Sequence, residues 1–160
     1  MAKKEENVVA ILLEPVRLGD EFIEWPLHIT LAPWFHGYNA KKLDEILTKI
    51  AKSYSSFEVA MGPVVKLGIN KDVPVNLVEL SPNLTQLHLS VVEALAKNKF
   101  SIHQKTWIGH NYLAHITHQP HGKKREGEEL MIGSFGLVKQ VRLNKTGEIV
   151  KTVVKNYELG

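Results

Sequence analysis

The sequence predicts an α+β domain in which helices cover one side of antiparallel sheets. Three observations carry that expectation. Short apolar or alternating runs suited to strands recur along the chain, and only two stretches show helical spacing. Those two stretches sit between groups of strands, giving the order strands, helix, strands, helix, strands. Two nearly identical pentads, Leu27-His28-Ile29-Thr30-Leu31 and Ala114-His115-Ile116-Thr117-His118, lie 115 − 28 = 87 positions apart and suggest a halving near residues 80–100.

The elements follow in order. Residues 8–13 (VVAILL) form a short β-branched run closed by Glu14-Pro15, which fits a buried strand. Residues 17–25 read as a polar connection. Pro26 introduces the first His-x-Thr strand, which Pro33 ends or bends. Asn39 is a plausible N-cap for a helix whose apolar face is Leu43, Ile46, Leu47, Ile50, Ala51 and Tyr54, with lysines and acids on the outer face. Residues 57–67 read as a strand with a break at Gly62-Pro63, and residues 74–80 as another. Ser81-Pro82-Asn83 opens a second helix, with Leu84, Leu87, Val91 and Leu95 on one face to about Lys97. Residues 105–119 read as the second motif strand and the polar residues 121–129 as a mobile loop. Residues 130–143 and 148–159 read as two strands joined by a turn at 144–147.

At 160 residues the chain is expected to be one domain, 1–160, large enough for a core without staples. It is 44% hydrophobic and 23% charged, an ordinary globular composition. The absence of cysteine excludes disulfides, thiolate metal sites and a cysteine nucleophile. No apolar run reaches the ~18 residues of a membrane span. Residues 1–7 have no apolar region ahead of a cleavage site, so we expect a cytoplasmic protein. The net charge of +3 is compatible with a nucleic-acid or nucleotide ligand without requiring one.

His-x-Ser/Thr is a weak pattern: with 8 histidines, about one occurrence is expected by chance from average composition. Three occur, and the third, His88-Leu89-Ser90, falls in the second helix, where i and i+2 do not share a face. We therefore read His88 as structural. In a strand, by contrast, His28 and Thr30 share one face, as do His115 and Thr117, with Ile29 and Ile116 behind. Two such strands across a cleft supply two imidazoles and two hydroxyls. Imidazole can act as base or acid near neutral pH, and hydroxyls can donate to the oxygens of a phosphodiester.

With those motifs the chain resembles the two-histidine (2H) phosphoesterase superfamily, which includes the bacterial RNA 2′,3′-cyclic phosphodiesterases, also called 2′-5′ RNA ligases. The resemblance covers nearly the whole chain: VVAILL, LHITLAPWF, FEVAMGPVVKLG, PVNLVELSPNLTQLHLSVVEAL, AHITH and IGSFGLVKQVRL each match a family segment. It implies two pseudo-symmetric lobes of antiparallel sheet with helices packed outside, and a central cleft carrying the two motif strands. It also implies His28 and His115 as the catalytic pair and Thr30 and Thr117 as phosphate-binding hydroxyls. The chain departs from the common pattern at Ala114, where many relatives have Pro, and at His118, where many have an apolar residue.

The expected reaction is hydrolysis of 2′,3′-cyclic phosphate RNA ends or 2′-5′ linkages, with 2′-5′ ligation in reverse. The alternatives are cyclic di- or oligonucleotides or small cyclic phosphates at the same site, and a non-catalytic RNA-binding module. Trp34, which shares strand parity with His28, is a candidate base-stacking residue, with Trp107 and Tyr112 as lesser candidates. Lys123, Lys124 and Arg125 are candidates to close over phosphates. His110, His115, His118 and His121 cluster in sequence, but His115 and His118 would face opposite ways on a strand and no acidic ligand lies among them, so no metal is expected. Neither a cofactor nor an obligate protein partner is expected. No P-loop, Gly-x-Ser-x-Gly elbow or dinucleotide fingerprint is present.

Overall fold

A computed structural model describes residues 6–143 and 145–160. The N-terminal residues 1–5, read above for a leader, and Asn144 of the turn at 144–147 lie outside the described residues. In chain order the elements are β1 (Glu6–Leu12), β2 (Glu21–Phe22), β3 (His28–His36), α1 (Ala40–Lys52), β4 (Phe57–Leu67), β5 (Val73–Val78), α2 (Pro82–Lys97), β6 (Ser101–Ile102), a 3₁₀ turn (Gly109–Asn111), β7 (His115–Thr117), β8 (Glu129–Ile132), β9 (Ser134–Arg142) and β10 (Ile149–Glu158). They form a six-stranded sheet, β2-β10-β9-β1-β3-β6, and a four-stranded sheet, β7-β5-β4-β8. Each pairing among the described residues is antiparallel.

The expected two-lobed α+β fold is present. Asn39 caps α1 by accepting the Lys42 amide, and Ser81 caps α2 by accepting the Leu84 amide ahead of Pro82 in the first turn. Leu43, Ile46, Leu47 and Ala51 of α1 are buried, as are Leu84, Leu87, Val91 and Leu95 of α2, as their spacing predicts. α1 packs on β10, α2 on β3, and the two helices on each other. One apolar cluster runs through both helices and both sheets, from Val9 and Ile29 to Met61, Ile116 and Ile132. No described helix is long and apolar enough to cross a membrane.

The structure corrects several boundaries. The lobes are not the two halves of the sequence: β4 and β5 of the first half pair into the sheet of β7, and β9 and β10 pair into the sheet of β1. Residues 130–143 are two strands, not one. The chain breaks at Gly133, with β8 on β4 and β9 between β1 and β10. Of residues 105–119 only His115–Thr117 is strand, because the preceding stretch turns through Gly109 at φ +65°.

Residues 121–129 are tied down, contrary to the expected mobile loop. Gln119 and Gly122 form a β-bridge, Met61 donates its amide to Glu128, and Gly127 returns one to Met61. Pro33 bends β3 without ending it. Between Asn7↔Phe35 and Val9↔Ala32 the β3 side carries the extra residue, a bulge that leaves the proline out of the ladder. A second bulge at Leu31 follows, since Ala10 pairs with Thr30 and Val9 with Ala32.

His88 is structural, as its helical setting implies. It is fully buried on α2, and its folded-state pKa is lowered by burial, with the Leu31 carbonyl working the other way. Its Nδ1 donates to the Leu31 carbonyl at 2.7 Å, and its Nε2 accepts the Gly109 amide at 3.0 Å. The Tyr112 ring stacks on it at 3.7 Å and 4°. His88→Leu keeps the volume but strands a buried carbonyl and an amide, so it should cost about 2–4 kcal/mol in urea denaturation. A loss below about 0.5 kcal/mol would show that water replaces both bonds.

Candidate active site

The two motif strands meet where the sheets meet. β7 is the edge strand of the four-stranded sheet, bonded to β5 alone among the described strands. β3 pairs with β1 along His28–Ala32, while β6 reaches only its far end at Phe35 and His36. β3 and β7 are therefore packed together along the seam. Ile29, Leu31 and Ile116 are fully buried, whereas His28, Thr30, His115 and Thr117 are half-buried. This is the alternation that the strand parity predicts.

The two histidines are held alike. His28 Nδ1 bonds the Pro26 carbonyl at 2.8 Å, and His115 Nδ1 bonds the Leu113 carbonyl at 2.7 Å, each two residues upstream. A carbonyl only accepts, so Nδ1 must carry the proton in both rings. The neutral ring then keeps its lone pair on Nε2, the position from which a base acts.

Their surroundings differ. Burial lowers the His28 pKa to about 4; the Pro26 carbonyl opposes this, and the nearby His115 and Lys151 add to it. The Trp25 ring lies 4.2 Å from His28 at 30°, while Trp107 meets His115 edge-on at 5.5 Å and 81°.

A cavity of roughly 180 Å³ opens beside the seam, lined by Thr30, Pro33, Gln104, Thr106, Trp107 and His115, with His88 and Tyr112 also in its wall. It contains one residue of each motif. The Tyr112 hydroxyl donates to the Thr30 carbonyl at 2.8 Å, and burial pushes its phenol well above the usual range. Tyr112 thus builds the wall, and its hydroxyl is committed to the motif strand. Thr117 lies two residues along β7, on the face of His115 and opposite Val75.

The other sequence candidates lie elsewhere. Trp34 packs 6.0 Å from Trp25, on the His28 side and away from the cavity wall. Lys124 pairs with Glu128 at 3.3 Å, and the Arg125 amide donates to the Glu128 carboxylate while the Glu128 amide donates to the Arg125 carbonyl. Glu128 therefore already neutralises part of the basic run. Lys123 faces His118, whose pKa is lowered by burial and then by that charge. His118 bonds the fully buried Asn76 at 2.9 Å, on the side of Ile116 and not of His115. Among the described residues no three His, Asp or Glu side chains converge as metal ligands.

Sequence reasoning missed Trp25, Gln104, Thr106, Lys151 and Glu14. Burial pushes the Glu14 carboxyl up, but His121, bonded to it at 2.9 Å, the Leu27 amide and the Lys124 charge hold it below the usual range. Glu14 thereby fixes the peptide just before His28 and ties it to the loop after the second motif. A Trp three residues ahead of a strand histidine could have been noticed; Lys151, 151 − 28 = 123 positions away, offered no local signal.

Two antiparallel sheets joined along paired His-x-Thr strands define the scaffold of a two-histidine phosphoesterase. The family profile described as the 2′-5′ RNA ligase superfamily matches residues 8–131, and the chain belongs to that superfamily. Comparison with curated protein sequences returns no match. Among solved structures the chain is similar to E. coli LigT complexed with 3′-AMP, at 17% identity over 97% of this chain and 98% of that one, with a TM-score of 0.64. It is also similar to TT0787 of Thermus thermophilus, at 15% identity over 96% and 97% of the two chains, with a TM-score of 0.65. A structure described only as a phosphoesterase matches at 16% identity over 97% and 98%, with a TM-score of 0.63. At such identities the likeness is one of fold.

The His28 surroundings set a pH dependence of stability. Its pKa is about 4 folded and 6.5 in the reference state, so at low pH the unfolded chain binds a proton that the folded chain refuses. The resulting stability is fully present above about pH 6.5 and is lost as pH falls towards 4, by on the order of 3 kcal/mol at full effect. His88, shifted the same way, adds to the slope. Urea titrations from pH 7 to 4 should show this decline, and His28→Asn should flatten it. An equal slope in His28→Asn would refute the assignment.

Proposed function

We propose that the chain is a metal-independent phosphodiesterase that opens 2′,3′-cyclic phosphate ends of RNA or cleaves 2′-5′ linkages, with ligation as the reverse reaction. One observation carries this reading. Each motif imidazole is fixed by an Nδ1–H bond to a carbonyl, which leaves Nε2 for proton transfer, and the two sit on adjoining strands.

In hydrolysis His28, held neutral, takes a proton from water as the oxygen attacks phosphorus. The P–O bond on the far side breaks, and His115, protonated at Nε2, delivers its proton to the departing ribose oxygen. Thr30 and Thr117 donate hydrogen bonds to the non-bridging oxygens, whose charge must be held through the transition state. The protonation states are exchanged at the end and reset through solvent.

The cavity beside Thr30 and His115 would take one nucleobase, with Trp107 as its apolar wall and Gln104 and Thr106 as polar groups for its edge. Similar E. coli LigT structures are complexed with 3′-AMP, ATP and NADP+, which supports a nucleotide ligand. Both a substrate from RNA ends and the predicted cytoplasmic setting fit that ligand class.

An RNA oligomer ending in 2′,3′-cyclic phosphate should be opened in EDTA, giving a single monophosphate isomer. His28→Ala and His115→Ala should each lower kcat by about 10²–10⁴ with the fold retained. Trp107→Ala should act mainly on KM. A folded His115→Ala with wild-type turnover would sink the mechanism. An inactive wild type would move the substrate to cyclic dinucleotides or 2′-5′ oligomers, tested in the same assay.

A further inference from the structure

Residues 21–27, β2 and the link from it to β3, carry no acid, base or nucleophile that the proposed reaction uses, yet they are fastened from several sides. The Trp25 ring covers His28 at 4.2 Å and 30°. Phe22 lies 5.3 Å from Trp25 at 59°, and Trp34 lies 6.0 Å away at 52°. From β10, Lys151 sets its ammonium 5.7 Å from the centre of the Trp25 ring and donates to the Ile23 carbonyl. Glu14 accepts the Leu27 amide.

We propose that Trp25, clamped by Lys151, is the positioning residue for His28, holding the imidazole so that Nδ1 stays on Pro26 and Nε2 is left for the substrate. This rests on the reading of His28 as the base. A single bond to the carbonyl two residues upstream fixes one ring atom and leaves the ring free to tilt. A second ring lying on its face removes the tilt. Indole is the aromatic side chain best suited to hold a cation, so Lys151 can grip Trp25 while its own stem crosses the sheet edge.

The charged and titratable groups facing His28 are His115 from β7 and Lys151 from β10, with Glu14 one peptide away on the Leu27 amide. The Lys151 charge, and that of His115 when protonated, disfavours a proton on His28, so the clamp that orients the ring also keeps its lone pair available. Trp107 has a different place: it meets His115 edge-on, is 40% exposed and lines the cavity, as a platform for a base must. Trp25 is half-buried and lies outside that wall, so its face is given to His28 and not to a ligand.

The test uses the full chain and four variants: Trp25→Leu, Trp25→Phe, Lys151→Met and Lys151→Arg. His28 is titrated by NMR at its ring Cε1–H, and kcat and KM are followed against pH on a nucleoside 2′,3′-cyclic phosphate. Trp25→Leu should raise the His28 midpoint towards the ordinary imidazole range. It should also lower kcat about tenfold or more at neutral pH, with KM within about twofold. Trp25→Phe should recover most of kcat. Lys151→Met should move the midpoint the same way by less, and Lys151→Arg should restore it.

A folded Trp25→Leu whose His28 titrates as in wild type overturns the proposal, as does one whose loss is confined to KM. If Trp25→Leu does not fold, Lys151→Met decides, and an unmoved midpoint overturns it. The NMR arm needs no turnover, so a wild type inactive on this substrate would count against the proposed reaction and still leave the positioning role decided.

Discussion

The neutral, fully buried imidazole of His88 is the joint on which the site depends. Its two ring nitrogens are used in opposite senses, one donating to β3 at Leu31 and one accepting from the Gly109 turn that leads to β7. The bulge in β3 at Leu31 sits where that carbonyl leaves the regular ladder, and α2 supplies the ring that receives it. Tyr112 then stacks on the ring and bonds the Thr30 carbonyl. A single side chain thus sets α2, the first motif strand and the approach to the second in fixed relation. A protonated His88 would point a donor at the Gly109 amide, so burial that keeps it neutral is part of the same device.

Around that joint the two motifs are alike in backbone and unlike in setting. Both histidines bond the carbonyl two residues upstream, which fixes the same tautomer twice. One is then covered by an indole and flanked by a lysine, and the other is left edge-on to an indole at an open cavity. The proposed acid and base need opposite protonation at the start of a turnover. A duplicated backbone motif cannot provide that difference, so it has to come from what packs around each ring.

Much of this was legible in the sequence, because the strand parity of His28, Thr30, His115 and Thr117 depends on local geometry alone. The helix faces and caps at Asn39 and Ser81 are equally local. What escaped was set at a distance. The strand boundary at Gly133 depends on which sheet each neighbour joins, and the short β7 depends on a turn held by His88. Residues 121–129 are polar enough to read as free, yet their backbone is used by Met61 and their His121 by Glu14. Trp25 reads as part of a polar linker until Lys151 is brought beside it.

The interleaving of the sheets has a consequence for synthesis. β9 lies between β1 and β10 in the six-stranded sheet, so β1, made first, gains its second neighbour only when residues 134–142 arrive. On the ribosome β1 can pair with β3 early and must then wait with an open edge through the making of both helices and the entire smaller sheet. The smaller sheet is complete once Ile132 is made, but the larger one closes only with β10, and most of the chain has to be present before the seam of the two motif strands exists. Such late, distant pairing slows folding and leaves strand edges exposed while the chain is being made.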